Sequence, residues 1–219
     1  MQAKLTRLVR KMLGAFHQHD RAFSSKDYWK NRYSGGGNSG PGSYEHLAAF
    51  KSEILNAFIA KYDVSSVIEF GCGDGNQLRY ADYPEYVGYD VSCTAVDSCR
   101  RAFSGDASKQ FWLVEHYDGR TADLAISLDV IFHLVEDDVF DGYMRRLFDA
   151  SRHFVAIYSS NSDGGSMVTA THVRHRCFTR WIEAHRANWT LIEKIDNRFQ
   201  YDGDYKRTSF ADFYFFEKR

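Results

Sequence analysis

The chain has 219 residues, of which 44% are hydrophobic and 26% charged, a composition typical of one globular domain rather than of a disordered chain. The formal net charge is −1, which excludes a generic basic surface for binding the phosphates of a nucleic acid. No apolar run approaches the ~20 residues of a membrane-spanning helix, so we expect no stable membrane insertion. The four cysteines form no Cys-x-x-Cys pair, and we expect reduced thiols in a cytoplasmic protein.

The small net charge conceals an uneven distribution of charged residues. Residues 1–60 contain 9 basic and 4 acidic residues, residues 61–150 contain 8 and 17, and residues 151–219 contain 11 and 8. The two ends of the chain are therefore basic and its middle is acidic. This pattern leaves room for a local basic site built from the two ends.

The N-terminal segment predicts an amphipathic helix over residues 4–16, with apolar residues at helical spacing and basic residues on the other face. Such a helix can lie on an anionic membrane, or it can dock on its own domain, on a partner protein or on a second copy of the chain. We favour docking. A glycine-rich loop follows over residues 34–43.

The remaining sequence alternates between helices and strands. We predict helices at about 44–61, 75–81, 93–103 and 136–151 and from Thr179, and strands at 65–70, 86–91, 110–115, 122–128, 153–159, 189–199 and 208–217. This order favours an α/β fold with a doubly wound, mostly parallel sheet of seven strands. Because no helix separates the last two strands, we expect the final strand to be antiparallel.

A glycine loop follows the first predicted strand directly, in the sequence Glu69-Phe-Gly71-Cys-Gly73-Asp-Gly. Glycines let the backbone turn sharply and approach a ligand closely. Asp90 ends the next strand, where a carboxylate can accept hydrogen bonds from both hydroxyls of a ribose. The nicotinamide fingerprint is not met, because its third glycine would fall at Asn76. The charge of Glu69 favours a cationic ligand over a pyrophosphate.

These motifs resemble those of the class I S-adenosylmethionine-dependent methyltransferases. Glu-Phe-Gly-Cys-Gly-Asp-Gly resembles their E/D-x-G-x-G-x-G motif, Val-Gly-Tyr-Asp-Val their second motif, and Ser-Leu-Asp-Val-Ile-Phe-His-Leu their fourth-strand motif. The resemblance covers residues 28–219. It implies a Rossmann-like methyltransferase domain over residues 44–219, preceded by a helix and lid over residues 1–43, and S-adenosylmethionine as the cofactor.

The resemblance also implies roles for individual residues around the cofactor. Its methionine part lies near Gly71, Gly73 and Asp129, and Glu69 binds its amino group. Its nucleoside part involves Asp90 at the ribose, Val91 at the adenine and, as a weaker candidate, Asp118 at the adenine amino group.

Residues 28–33 resemble a Tyr-Trp-x-x-Arg-Tyr element that precedes the core in several methyltransferase groups and lines the cofactor site. There Arg32 lies near the cofactor carboxylate as a forked donor, and Trp29 and Tyr33 cover the sulfonium. Ordinary aromatic packing is the alternative for Trp29. The loop over residues 34–43 then becomes a hinged lid.

The acceptor is constrained mainly by what the sequence lacks. Neither an Asn-Pro-Pro-Tyr or Asp-Pro-Pro-Tyr tetrapeptide nor a Pro-Cys nucleophile occurs, which disfavours methylation of DNA bases. No segment resembles an RNA-binding module. A small molecule, a glycan or a protein remains.

Two groups of residues lie where acceptor-side residues are expected. His133 is a candidate general base, or a structural histidine that links the strand end to the cofactor pocket. The run His172-Val-Arg174-His175-Arg176 predicts an anion-binding wall, with His172 as a second catalytic candidate. A solvated basic turn and a metal site are the alternatives, but no third ligand has a convincing spacing. Tyr33 and Asn161 complete the expected acceptor site.

The sequence therefore predicts methyl transfer to an oxygen of a small molecule or of a glycan or phosphosugar, as in glycan biosynthesis, with an anionic acceptor. N-methylation of a protein or small amine is the alternative enzyme function. A non-catalytic, methyltransferase-like partner subunit is the alternative outside enzymes, motivated by the predicted N-terminal helix.

Overall fold

The computed structural model describes residues 23–163 and 170–219 and contains one seven-stranded sheet. The strands are β1 (Ser66–Phe70), β2 (Glu85–Asp90), β3 (Lys109–Leu113), β4 (Ala122–Leu128), β5 (Ser151–Ser159), β6 (Trp189–Ile195) and β7 (Asp212–Lys218). Their order across the sheet is β3-β2-β1-β4-β5-β7-β6, and β7 alone runs antiparallel to its neighbours. The predicted fold class, including the antiparallel last strand, is confirmed.

Five α-helices surround the sheet within the described residues. They are α1 (Ser25–Ser34), α2 (Glu45–Lys61), α3 (Cys93–Ala102), α4 (Asp137–Asp149) and α5 (Phe178–His185). None of the helices in this part of the chain is long and apolar enough to cross a membrane. The helix predicted over residues 4–16 lies outside the described residues.

The predicted helix at 75–81 is wrong, because this segment contains only a short 3-10 helix, Gln77–Tyr80. Gly75 has a φ of +76°, which is incompatible with a helical residue. The Gln77 side chain is buried and donates to the Ala48 carbonyl (2.9 Å) and the Ser52 hydroxyl (2.8 Å) of α2. These tertiary contacts fix the segment against α2, and an α-helix does not form there.

Strand β7 shows how the two faces of the sheet form separate apolar layers. Phe213 and Phe215 pack against α2, whereas Tyr214 and Phe216 point to the opposite face and pack against α5 and α4. This alternation follows from the two-residue period of a strand. Because helices cover both faces, ligands have access to the sheet mainly at the carboxyl ends of its parallel strands.

The segment from α1 to α2 crosses this edge and is tied to the glycine loop. The Ser39 amide donates to Asp74 Oδ2 (2.9 Å), and the Asp74 amide donates back to the Ser39 hydroxyl (3.0 Å). The Tyr44 hydroxyl donates to the same Asp74 oxygen (2.8 Å). At the start of α1, the Ser25 amide donates to Glu136 Oε1 (2.8 Å). The segment is thus held at both ends over the carboxyl edge, and its opening as a hinged lid stays a prediction.

Candidate functional site

Two cavities open at the carboxyl edge of the sheet. The smaller cavity, of about 400 Å³, lies over the glycine loop, and the larger cavity, of about 900 Å³, lies between α1, the start of α2 and the β6–β7 loop. Four residues line both cavities, and we call them the junction: Trp29, Ser39, Asp129 and His133. The two cavities are therefore adjacent, with these four residues as their shared wall.

Two buried carboxyl groups face the smaller cavity. Glu69, at the end of β1, accepts from the Tyr86 hydroxyl (2.5 Å). Asp90, at the end of β2, accepts from the amides of Gly73 (3.0 Å) and Ser92 (2.9 Å). Burial raises the pKa of Glu69 to about 7 and the pKa of Asp90 to about 6. A cation or a hydroxyl donor in this cavity would stabilise both carboxylates.

The glycine loop keeps its backbone open toward the smaller cavity. Gly71 has a φ of +91°, and a Cβ atom there would lie 2.5 Å from Val130 Cγ2. Gly73 has a φ of +57°, and its Cβ atom would lie 2.9 Å from the Tyr33 hydroxyl. A side chain at either position would clash with the wall of the cavity, so the loop requires glycine.

The sequence analysis missed Lys51, which is buried in α2 with 1% of its surface exposed. Its Nζ atom lies 2.6 Å from Asp129 Oδ2 and 5.3 Å from the centre of the Tyr158 ring. A signal was present, because Lys51 lies four residues from both Leu47 and Leu55 on the buried face of α2. A lysine in such a position requires a buried acidic partner.

His133 lies in the short 3-10 helix Ile131–His133, which follows β4. Its Nδ1 atom is 2.9 Å from the His172 carbonyl oxygen. Because a carbonyl oxygen only accepts, Nδ1 carries the hydrogen and the neutral ring keeps its lone pair on Nε2. Burial lowers the pKa of His133 to about 4, so the ring is neutral at physiological pH. This geometry suits both a structural link and a proton acceptor.

The predicted anion-binding wall is only partly assembled. Arg174 Nη1 donates to the Val135 carbonyl (2.9 Å) and lies 2.9 Å from Asp137 Oδ1, and Arg176 is 3.0 Å from the same oxygen. Asp137, in the first turn of α4, thus draws both guanidinium groups away from the larger cavity. His172 and His175 do line this cavity, and burial lowers the pKa of both.

Other predicted site residues are distributed as follows. Trp29, Tyr33, Glu69, Gly71, Gly73, Asp90, Val91, Asp129 and His133 line the smaller cavity. Arg32, His172 and His175 line the larger cavity together with the residues of the junction. The structure thus brings Tyr33, predicted to contact the acceptor, to the smaller cavity and Arg32, predicted to contact the cofactor, to the larger one.

Three predicted residues line neither cavity. Asp118 is exposed and accepts from the Arg120 amide (3.0 Å), and the Asn161 amide donates to the Thr179 hydroxyl (2.9 Å). Arg174 is held by Asp137 as described above. Local hydrogen bonds satisfy all three side chains away from the two cavities, and their assignments to the site stay predictions.

The larger cavity also has a wall that the sequence analysis missed. It is formed by the loop between β6 and β7, which contributes Tyr201, Tyr205, Lys206, Thr208, Ser209 and Phe210. The His46 ring, at Nε2, lies 2.8 Å from the Arg207 carbonyl and fixes this loop against α2. The two tyrosines in this otherwise polar turn were the signal in the sequence that could have indicated this wall.

The buried carboxyl group of Glu69 predicts a difference in stability between the wild type and Glu69→Gln that depends on pH. Because its pKa is raised to about 7 in the folded protein, Glu69 binds a proton more tightly when folded, and its contribution to stability falls as pH rises from about 4.5 to about 7. We expect Glu69→Gln to gain stability relative to the wild type over this range. Urea unfolding at several pH values measures the difference.

The control for this experiment is Glu85→Gln, at an exposed position at the start of β2. It should follow the wild type at every pH. A Glu69→Gln curve that runs parallel to the wild-type curve across the whole range would contradict the raised pKa of Glu69.

Comparison with known proteins gives fold-level matches. No protein-family model matches the chain, and no curated protein sequence matches it. Among solved structures, the N-methyltransferase NodS from Bradyrhizobium japonicum WM9, in complex with S-adenosyl-L-homocysteine, is 12% identical with a TM-score of 0.65, covering 90% of this chain and 99% of that one.

Two further solved structures have the same architecture. Magnesium protoporphyrin IX methyltransferase (ChlM) from Synechocystis PCC 6803, with bound SAM, is 13% identical with a TM-score of 0.60, covering 91% of this chain and all of that one (100%). An S-adenosylmethionine-dependent methyltransferase from Clostridium acetobutylicum ATCC 824 is 10% identical with a TM-score of 0.58, covering 80% and 92%. The strand order and these matches together show that the chain has the Rossmann-like fold of the class I S-adenosylmethionine-dependent methyltransferases.

Proposed function

We propose that the protein is an S-adenosylmethionine-dependent methyltransferase that methylates an oxygen of a small-molecule or glycan acceptor. The observation that carries this proposal is the junction, where an acid-lined cavity of about 400 Å³ adjoins a larger, aromatic cavity. Methyl transfer is an in-line displacement, so donor and acceptor must be held end to end at near-attack distance. Two cavities that share a wall supply this arrangement.

The residues of the smaller cavity fit the chemical groups of the cofactor. S-adenosylmethionine has an ammonium group, a ribose diol and a cationic sulfur, and when bound it supplies an activated methyl group. Glu69 offers a buried carboxylate to the ammonium group and Asp90 offers one to the diol. Gly71 and Gly73 leave the backbone accessible beside the amino acid part, and Val91 packs on the adenine.

His133 is the proposed proton acceptor for an acceptor hydroxyl. Its hydrogen bond from Nδ1 to the His172 carbonyl fixes the ring and leaves the Nε2 lone pair available at the junction. The hydroxyl oxygen becomes more acidic as it gains the methyl group, so a weakly basic imidazole is sufficient. His172 stacks against Tyr28, with ring centres 4.5 Å apart, and acts by supporting His133.

The lining of the larger cavity favours an acceptor with at least one uncharged ring. Aromatic side chains from α1, the β4–α4 segment and the β6–β7 loop surround it, including Tyr28, Phe132, Tyr201, Tyr205 and Phe210. Within the described residues, Arg32 and Lys206 are the arginine and the lysine that line this cavity and can contact the proposed anionic group of the acceptor. A sugar or aromatic ring with a peripheral phosphate or carboxylate fits this distribution.

N-methylation of a small amine is the second candidate function. It is favoured by Glu45, a carboxylate that lines the larger cavity and could hold an ammonium group. The solved structure of NodS carries the name of an N-methyltransferase. The non-catalytic alternative and a dimer through the N-terminus depend on the helix predicted over residues 4–16, outside the described residues, and both stay predictions.

Replacement of Asp90 tests the cofactor assignment. We expect Asp90→Ala to weaken the binding of S-adenosylhomocysteine by at least about tenfold, because the ribose hydroxyls lose a buried charged acceptor. Asp118→Ala is the matched control, since Asp118 is exposed and lines neither cavity. Isothermal titration calorimetry measures both. Equal affinities in the two variants would contradict the role of Asp90.

Replacement of His133 tests the chemical step. Labelled S-adenosylmethionine, offered with panels of phenols, sugars, sugar phosphates and amines, first identifies an acceptor. For a hydroxyl acceptor, we expect His133→Ala to lower kcat by about 10²–10⁴-fold, the usual effect of losing a general base. Its affinity for S-adenosylhomocysteine should remain within about threefold of the wild type. Unchanged kcat would exclude His133 as the base, and turnover of amines alone would favour N-methylation.

A further inference from the structure

The Lys51–Asp129 ion pair lies at the smaller cavity, which both residues line, and neither residue takes part in the proposed proton transfer. Lys51 is fully buried, and its Nζ atom lies 2.6 Å from Asp129 Oδ2. A buried ion pair contributes little net stability, because desolvation of both charges offsets their attraction. Its position at the junction therefore calls for a functional explanation.

The carboxylate of Asp129 is held by several independent constraints. Asp129 has a φ of +59°, in the left-handed region that a residue other than glycine keeps only where its surroundings fix it, and its amide donates to the Tyr158 carbonyl (3.0 Å). Gly42 leaves space for the side chain, since a Cβ atom there would lie 2.9 Å from Asp129 Oδ2. Within residues 23–163 and 170–219, Oδ1 accepts no hydrogen bond. One oxygen is thus fixed by Lys51 and the other is left at the junction.

We propose that Lys51 is a positioning residue that cancels the charge of Asp129 and so keeps the electrostatic potential at the junction close to neutral. The proposal rests on the proposed function, because it concerns the place where the methyl group is transferred. It extends the proposed function by assigning a role to Lys51, which contacts neither the acceptor nor the larger cavity.

The physical reason is differential stabilisation of the ground state and the transition state. The cofactor's sulfur is cationic before transfer, and its charge decreases as the methyl group moves to the acceptor. An uncompensated carboxylate beside it would stabilise the ground state more than the transition state and would slow the reaction. Two opposite charges 2.6 Å apart have a much weaker field at a distance than one carboxylate alone.

The preference for S-adenosylmethionine over S-adenosylhomocysteine measures this potential without any acceptor. The two ligands share the amino acid and nucleoside parts and differ at the sulfur, which is cationic in one and neutral in the other. Dissociation constants of both are measured at about pH 8 for the wild type, Lys51→Met and Lys51→Met/Asp129→Asn. We expect Lys51→Met to increase the preference for S-adenosylmethionine by about tenfold, because one unpaired negative charge remains.

The double variant should return the preference to within about threefold of the wild type, since it again carries no net charge at this position. Asp129→Asn alone provides a second route if Lys51→Met is too unstable to fold, because it leaves Lys51 unpaired and should shift the preference about tenfold toward S-adenosylhomocysteine. A purely structural role for Lys51 would change stability and leave the preference unmoved. That result overturns the inference alone, whereas a wild-type protein that binds neither ligand overturns the proposed function.

Discussion

The burial of acidic side chains at the carboxyl edge of the sheet is the constraint on which the site depends. Glu69 and Asp90 lie at the ends of β1 and β2, Asp129 follows the adjacent β4, and Lys51 is buried beside Asp129. Lys51 pairs with Asp129, and the donors to Glu69 and Asp90 within residues 23–163 and 170–219 are neutral. The raised pKa values of Glu69 and Asp90 show that burial makes the ionised form of both groups unfavourable. A cationic ligand with a diol would remove that cost, and this connects the electrostatics of the cavity to the proposed cofactor.

The segment over residues 25–44 turns this edge into two connected cavities. It is anchored at Glu136 on one side and at Asp74 on the other, and it places Trp29 and Ser39 in the wall that both cavities share. Asp74 belongs to the glycine loop, so the same loop that is proposed to hold the cofactor also holds the cover over it. The shared wall of the two cavities and the glycine loop are therefore linked through one pair of reciprocal hydrogen bonds, between Ser39 and Asp74.

The sequence predicted best those features that depend on neighbouring residues. The glycine loop, the acids at the ends of β1 and β2 and the seven strands follow from local patterns, and the structure has them. Lys51 was missed because its partner, Asp129, is 78 residues away in the chain. The 75–81 helix failed because Gln77 is drawn into contacts with α2. Arg174 lines neither cavity, because it pairs with Asp137 on a different element. Contacts between residues far apart in the chain decided each of these cases. Local sequence patterns do not predict such contacts.

Calorimetric titration of the wild-type protein with S-adenosylmethionine at about pH 6.5, in buffers of different ionisation enthalpy, tests the central claim most directly. The account predicts saturable binding, with a dissociation constant in the micromolar range that is common for enzyme ligands. It also predicts net release of protons, because the ligand's ammonium group lowers the pKa of Glu69 from about 7 and makes it ionise on binding. No binding at millimolar ligand, or binding without proton release, would contradict the account.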